Sequence, residues 1–170
     1  MDIKIITCHY AYNYGAVLQT YALYSYLTLE GHNVEVINYR PWYYRGSTRS
    51  KSIIRRLLRK IIRVPDNIKS ENVFYNYLKN NIKMTTEYTS YKDLENAALE
   101  ADLFIAGSDQ SWNTNLPNGR DLAFYLDFVK SGKMVTYAAS LGMDSISEND
   151  NDFMKNQLNK FSSISVREIT

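Results

Sequence analysis

Within seven residues, Gly107-Ser108-Asp109-Gln110-Ser111-Trp112-Asn113, five polar side chains crowd around one tryptophan. Asp109 and Gln110 can accept and donate hydrogen bonds to hydroxyls while the Trp112 indole stacks on a C–H face, a set suited to a sugar. Asp109 also fits a general base if burial raises its pKa. The same stretch admits a plainer reading, with Asp109 capping a short helix and Trp112 packed at a sheet edge; the crowding favours a site. A second candidate is Asn13-Tyr14-Gly15-Ala16, which feeds a helix N-terminus. Unpaired N–H groups and the helix dipole there favour a polar or anionic ligand, and Gly15 permits close approach. The alternative is a tight turn capped by Asn13. A third is Arg167 beside Glu168, at the end of a strand predicted over Ser163 to Val166. An arginine so placed binds phosphate or carboxylate through two parallel hydrogen bonds, unless it is an ordinary surface ion pair.

The elements that must position these groups follow from apolar runs and breakers. Ile3 to Cys8, Val34 to Ile37, Ala101 to Ala106, Met134 to Ala139 and Ser163 to Val166 read as five strands. A helix opens at Gly15, with Val17, Leu18, Tyr21, Leu23 and Leu27 on or near one side, and Gly31 ends it. Further helices are predicted over roughly Ser70 to Asn81 and Glu148 to Lys160. Strands separated by helices predict an α/β fold with a doubly wound, mostly parallel open sheet. In such sheets ligands bind beyond the carboxyl ends of the strands. The polar clusters stand at those ends: His9 to Gly15, Gly107 to Asn113, Ser140 to Gly142, and Arg167. This convergence is the strongest functional signal in the residues themselves.

Composition narrows the classes. A chain of 170 residues suits one domain, and 45% hydrophobic with 22% charged residues is the balance of a folded domain. The 15 tyrosines suit sugar binding and half-buried packing alike. A net charge of +2 does not argue for nucleic acid. The single Cys8 cannot form an internal disulfide, and neither a signal peptide nor a run of 18 apolar residues is present, so a cytoplasmic location is expected. The two histidines, His9 and His32, have no ligand spacing with each other or with Cys8, so no metal is expected. A lone-glycine loop also excludes a dinucleotide fingerprint.

From Arg40 to Val64, both included, there are nine Lys or Arg residues and no acidic one. Ile53, Ile54, Leu57, Leu58, Ile61 and Ile62 recur at helical spacing opposite Arg55, Arg56, Arg59, Lys60 and Arg63. This 51–63 helix either lies on an anionic membrane surface or polyanion, or packs its apolar face on its own domain or a partner.

Five blocks then stop being generic. Asn13-Tyr14-Gly15-Ala16-Val17-Leu18-Gln19-Thr20-Tyr21-Ala22-Leu23, Asn38-Tyr39-Arg40-Pro41, Gly107 to Asn113, Tyr137-Ala138-Ala139-Ser140-Leu141-Gly142 and Ile164-Ser165-Val166-Arg167-Glu168 together resemble the polysaccharide pyruvyl transferase family, in the family's order. The resemblance implies transfer of a pyruvyl ketal from phosphoenolpyruvate, a co-substrate rather than a cofactor, to a sugar of a surface polysaccharide. It implies that residues 1–170 form the N-terminal Rossmann-like half of a GT-B-like two-domain architecture. The C-terminal domain, with the family's histidine and lysine for the donor, is then absent, leaving this half inactive alone. Arg167 matches the family's donor arginine near the domain junction, and Asp109 is assigned to the acceptor hydroxyl. Asn13, Tyr14, Gly15, Gln19, Gly107, Ser108, Gln110, Trp112 and Ser140 would line the acceptor side. The partners implied are phosphoenolpyruvate and a glycan acceptor, with a separate C-terminal half or a second copy of the chain. The contrasting reading is a non-catalytic glycan- or anion-binding module.

Overall fold

Ile3, Ile5, Val34, Val36 and Ile105 occupy alternate positions of three short strands and share one buried cluster, while Ile6, Phe104 and Ala106 join another. A period of two thus places an apolar set on each face of the sheet, and both faces need cover. The computed structural model describes residues 1–10, 13–44 and 73–167. Its strands β1 (Asp2–Ile6), β2 (Asn33–Val36), β3 (Leu103–Ala106) and β4 (Lys133–Thr136) form one all-parallel sheet in the order β2-β1-β3-β4. Helix α1 (Tyr14–Leu29) and the helical residues 73–81 (α2) lie with the first cluster, through Val17, Leu23 and Leu78. Helix α3 (Tyr91–Asn96) and the 3-10 turn Leu122–Tyr125 serve the second, through Leu94, Ala123 and Phe124, and another 3-10 turn, Pro117–Arg120, precedes Leu122–Tyr125. Helix α4 (Glu148–Leu158) closes a third cluster of Trp112, Tyr125, Ala139 and Met154. The architecture is the expected doubly wound open sheet.

The boundaries differ from expectation for local reasons. β1 stops at Ile6, and Thr7 and Cys8 run on buried beyond the ladder. β4 stops at Thr136, and Ala138, at φ 49°, turns the chain out of extended geometry. The expected fifth strand lies beside β4 as two isolated parallel bridges, Val135 with Ser163 and Ala139 with Val166. Between them the Thr136 hydroxyl donates to the Ser165 carbonyl (2.9 Å) and accepts from its N–H (2.8 Å), a side chain standing in for ladder bonds. In α1 the buried face is Ala16, Val17, Thr20 and Leu23, and Leu18 faces outward, a correction to the expected stripe. Gly31 at φ 85° ends α1, with the Gly31 N–H on Thr28 and the His32 N–H on Leu27, the paired bonds of a Schellman motif. The basic 51–63 segment lies outside the described residues.

Candidate functional site

In the order β2-β1-β3-β4 the chain runs outward from β1 to β2 on one side and from β3 to β4 on the other, so a crevice opens outside the carboxyl ends of β1 and β3. Gly107 lets those ends close together: a Cβ there would stand 3.2 Å from the Thr7 Cβ and 3.4 Å from the Ile6 carbonyl oxygen. The Gly107 N–H donates to that carbonyl at 2.7 Å. Gln19 reaches across from α1, its Nε2 donating to the Thr7 hydroxyl (2.7 Å), which donates onward to the Ser108 carbonyl (3.2 Å). Gln19, Gly107 and Ser108 are therefore joined in one structure at the crevice. Asn13 is the helix cap: its side chain accepts from the Gly15 N–H at 2.8 Å. Tyr14 is exposed, with its ring edge-on to Phe74 at 4.7 Å.

The second grouping spans the ends of β3, β4 and the 163–166 segment. Asp109 bridges to Ala139, and Ala139 to Val166, so Asp109, Ser140 and Arg167 follow one another across three adjacent chain segments. The Ser140 N–H donates to the Asp109 carbonyl at 2.9 Å. The Ser140 hydroxyl, buried, accepts from Arg167 Nη2 (3.1 Å) and from the Gly142 N–H (3.0 Å), which fixes the guanidinium beside the rim. Burial pushes the Asp109 carboxyl above its usual range, against the lowering effects of the Gln110 N–H, 2.7 Å away, and of the Arg167 charge. A carboxyl held partly out of water beside a guanidinium can take a proton from a hydroxyl while the arginine holds an anion. A cavity of about 340 Å³ adjoins them, lined by Gln110, Leu141, Gly142, Met143 and Val166 among others. Gly142 is needed there, because at φ 59° a Cβ would lie 2.4 Å from the Gln110 side chain.

Trp112 stands elsewhere. It is 2% exposed, stacked on Tyr125 at 5.9 Å, and its indole N–H donates to the Phe124 carbonyl at 3.2 Å. The ring is engaged in packing, and the residue's backbone N–H, on the Ser140 carbonyl at 3.3 Å, ties the loop to the segment that follows β4.

Several contributing residues escaped sequence reasoning. Asn118 donates to the Gln110 and Ser111 carbonyls at 2.8 and 3.1 Å and so holds the 107–113 loop. Asp121 accepts from the Tyr39 and Tyr43 hydroxyls at 2.7 and 2.6 Å. No local pattern signals either: Asn118 bonds across an irregular loop with no period, and the tyrosine partners of Asp121 are 82 and 78 residues away. Cys8 lies under the site, its thiol pushed up to about 12 by burial and then by Asp109, so it stays protonated and is no nucleophile. His9 is lowered to about 4 by burial; its Nδ1 lies 3.0 Å from the Thr7 carbonyl, which fixes Nδ1 as the donor, and its Nε2 has no partner. Among the described residues no group of His, Cys, Asp or Glu is placed to hold a metal ion, and no helix is long and apolar enough to cross a membrane.

Fold and geometry define an α/β domain of the open doubly wound class with a crevice at the carboxyl rim of the sheet. The family model for polysaccharide pyruvyl transferase matches residues 13–170, and the chain belongs to that family. No curated protein and no solved structure matches the chain.

Proposed function

We propose that the chain supplies the acceptor side and the donor arginine of a pyruvyl transfer from phosphoenolpyruvate to paired hydroxyls of a polysaccharide sugar. The observation that carries the reading is the convergence of Asp109, Ser140 and Arg167 at three neighbouring strand ends, in a member of this family. The Arg167 guanidinium binds the phosphate or carboxylate of the donor. Protonation of the enol CH2 makes the methyl group and leaves the adjoining carbon electron-poor. One sugar hydroxyl attacks that carbon and gives its proton to Asp109; the second attacks as the C–O bond to phosphate breaks. One hydroxyl proton balances the new methyl C–H and the other leaves with phosphate. We place the chain as one Rossmann-like half of a GT-B-like pair, the second half completing the donor site.

The test is phosphoenolpyruvate-dependent pyruvylation of a panel of glycosides by the purified chain, with and without a supplied C-terminal half. Product with both halves is expected. Asp109→Asn and Arg167→Gln should each reduce turnover by about 10²-fold or more, the scale of lost acid–base or charge stabilisation. Absence of product with both halves present, while the chain alone binds glycosides, overturns the transfer reading in favour of a binding module.

A further inference from the structure

A second cavity, of about 450 Å³, opens between the chain leaving β2, the start of α3 and the 117–122 turn. That volume lies in the range of small-molecule sites. Its walls are aromatic: Tyr39, Trp42, Tyr43 and Tyr91 line it, with Asp121 and Arg120. We propose that this cavity is a saccharide subsite that takes one uncharged sugar unit of a glycan, with Trp42 as its stacking platform.

Three observations point to that ligand. Trp42 is 76% exposed whereas Trp112, the other tryptophan of the chain, is 2% exposed; an indole left in water beside a cavity is a ring face available to a sugar. Tyr39 and Tyr43 both commit their hydroxyl protons to Asp121 Oδ2, whose Oδ1 accepts from the Ala123 N–H at 3.0 Å. The Tyr43 phenol oxygen, half-buried, is thereby fixed as an acceptor for a ligand hydroxyl, while Tyr39, 2% exposed, holds Asp121 from behind. The charge of the described walls favours an uncharged ligand: among the described lining residues Arg120 is the one cation, and it is paired with the buried Asp150 at 2.7 Å.

Position connects this cavity with the reactive cluster. Tyr39 follows β2 and Asp109 follows β3, both at the carboxyl rim, and the two strands are separated by β1 alone, about 10 Å apart. The charges of Asp121 and Asp109 both bear on Cys8 and Tyr44, so the two carboxylates share a neighbourhood. A glycan with one unit on Trp42 can thus lay its next units along the rim toward Asp109. That role as the acceptor's anchor rests on the transfer reading, but the binding itself does not.

The experiment is acrylamide quenching of tryptophan fluorescence in the full chain, titrated with methyl glycosides of glucose, galactose, mannose, N-acetylglucosamine and N-acetylmannosamine, with the corresponding disaccharides, and with uridine as a stacking ligand of another class. Buried Trp112 provides an internal reference for folding. At least one sugar should cut the quenching of Trp42 by roughly half, and Trp42→Ala should weaken its binding, followed by calorimetry, about tenfold, the scale of one lost ring contact. Shielding of Trp42 by uridine and by none of the sugars, or by nothing in the panel, overturns the subsite. Shielding by sugar without pyruvyl transfer leaves the subsite standing and removes the transfer reading. Transfer with an unchanged acceptor KM in Trp42→Ala, and no shielding, does the reverse.

Discussion

Asp109 sits between opposed influences. Burial disfavours its anion, whereas the Gln110 N–H and the Arg167 guanidinium favour it, and burial prevails. The carboxyl therefore holds its proton to a higher pH than an exposed aspartate, whose ordinary value is about 3.9. As a base it works above its raised midpoint, so the acid limb of activity should lie higher than an ordinary carboxyl would place it. Removing Arg167 removes one of the lowering influences. A carboxyl-detected NMR titration should show the Asp109 midpoint moving further up in Arg167→Gln. An unchanged midpoint would mean that the guanidinium does not stand beside the carboxyl in solution. Ser140 matters here as a positioning residue, since its hydroxyl holds Arg167 Nη2. Cys8 and His9 lie close by, but the first stays a thiol and the second stays neutral at pH 7.

The element that carries Asp109 is an irregular segment rather than a strand or helix, and its stiffness comes from its own far end. Asn118 bonds back to Gln110 and Ser111, the Tyr125 hydroxyl donates to the Gly119 carbonyl at 2.8 Å, and the Asn113 side chain donates to the Gly142 carbonyl at 3.2 Å. At Gly119 a Cβ would fall 2.1 Å from the Asn113 carbonyl oxygen, against backbone that cannot step aside. Gly119→Ala should therefore cost about 1–3 kcal/mol in urea unfolding, the range for forced overpacking, and lower turnover as the 107–113 loop shifts. A variant as stable as the parent would show that the close approach is relaxed in solution. This segment also marks how far the sequence could be read. The strands were legible because Ile3 to Cys8, Val34 to Ile37 and Ala101 to Ala106 are short, mostly apolar runs between breakers, and the rim clusters were legible because polar residues follow those runs. The α3 helix was not, since its six residues bury Leu94 alone and show no period. Trp112 read as a site ring because its neighbours are polar; its packing partners Tyr125, Met154 and Phe161 come from later elements. The link from Asp121 to Tyr39 spans 82 residues and leaves no local trace.

At the scale of the whole molecule, the rim that gathers these groups also makes folding sensitive to acid. His9 follows β1 at 2% exposure, with Tyr10 against its ring at 4.3 Å and Nε2 unsatisfied. Burial lowers its pKa first; the Thr7 carbonyl and the Asn38 side chain oppose this, and the nearby Arg40 charge adds to it. The folded chain thus keeps His9 neutral down to about 4, while the unfolded chain takes up the proton near 6.5. Between those values the unfolded state binds more protons, so stability rises with pH. The stabilisation from an uncharged His9 is fully present above 6.5 and is lost as the pH falls toward 4. Its size is on the order of 3 kcal/mol, taking about 1.4 kcal/mol per pH unit. Carboxylates titrate over the lower part of this window, so the informative quantity is the difference between the parent and His9→Asn. The variant should be less stable at pH 7, having lost a well-packed ring, yet its Tm should fall less steeply between pH 6.5 and 5. Parallel Tm profiles would mean that His9 is as free to protonate in the folded chain as in the unfolded one, and that the floor of the crevice admits water.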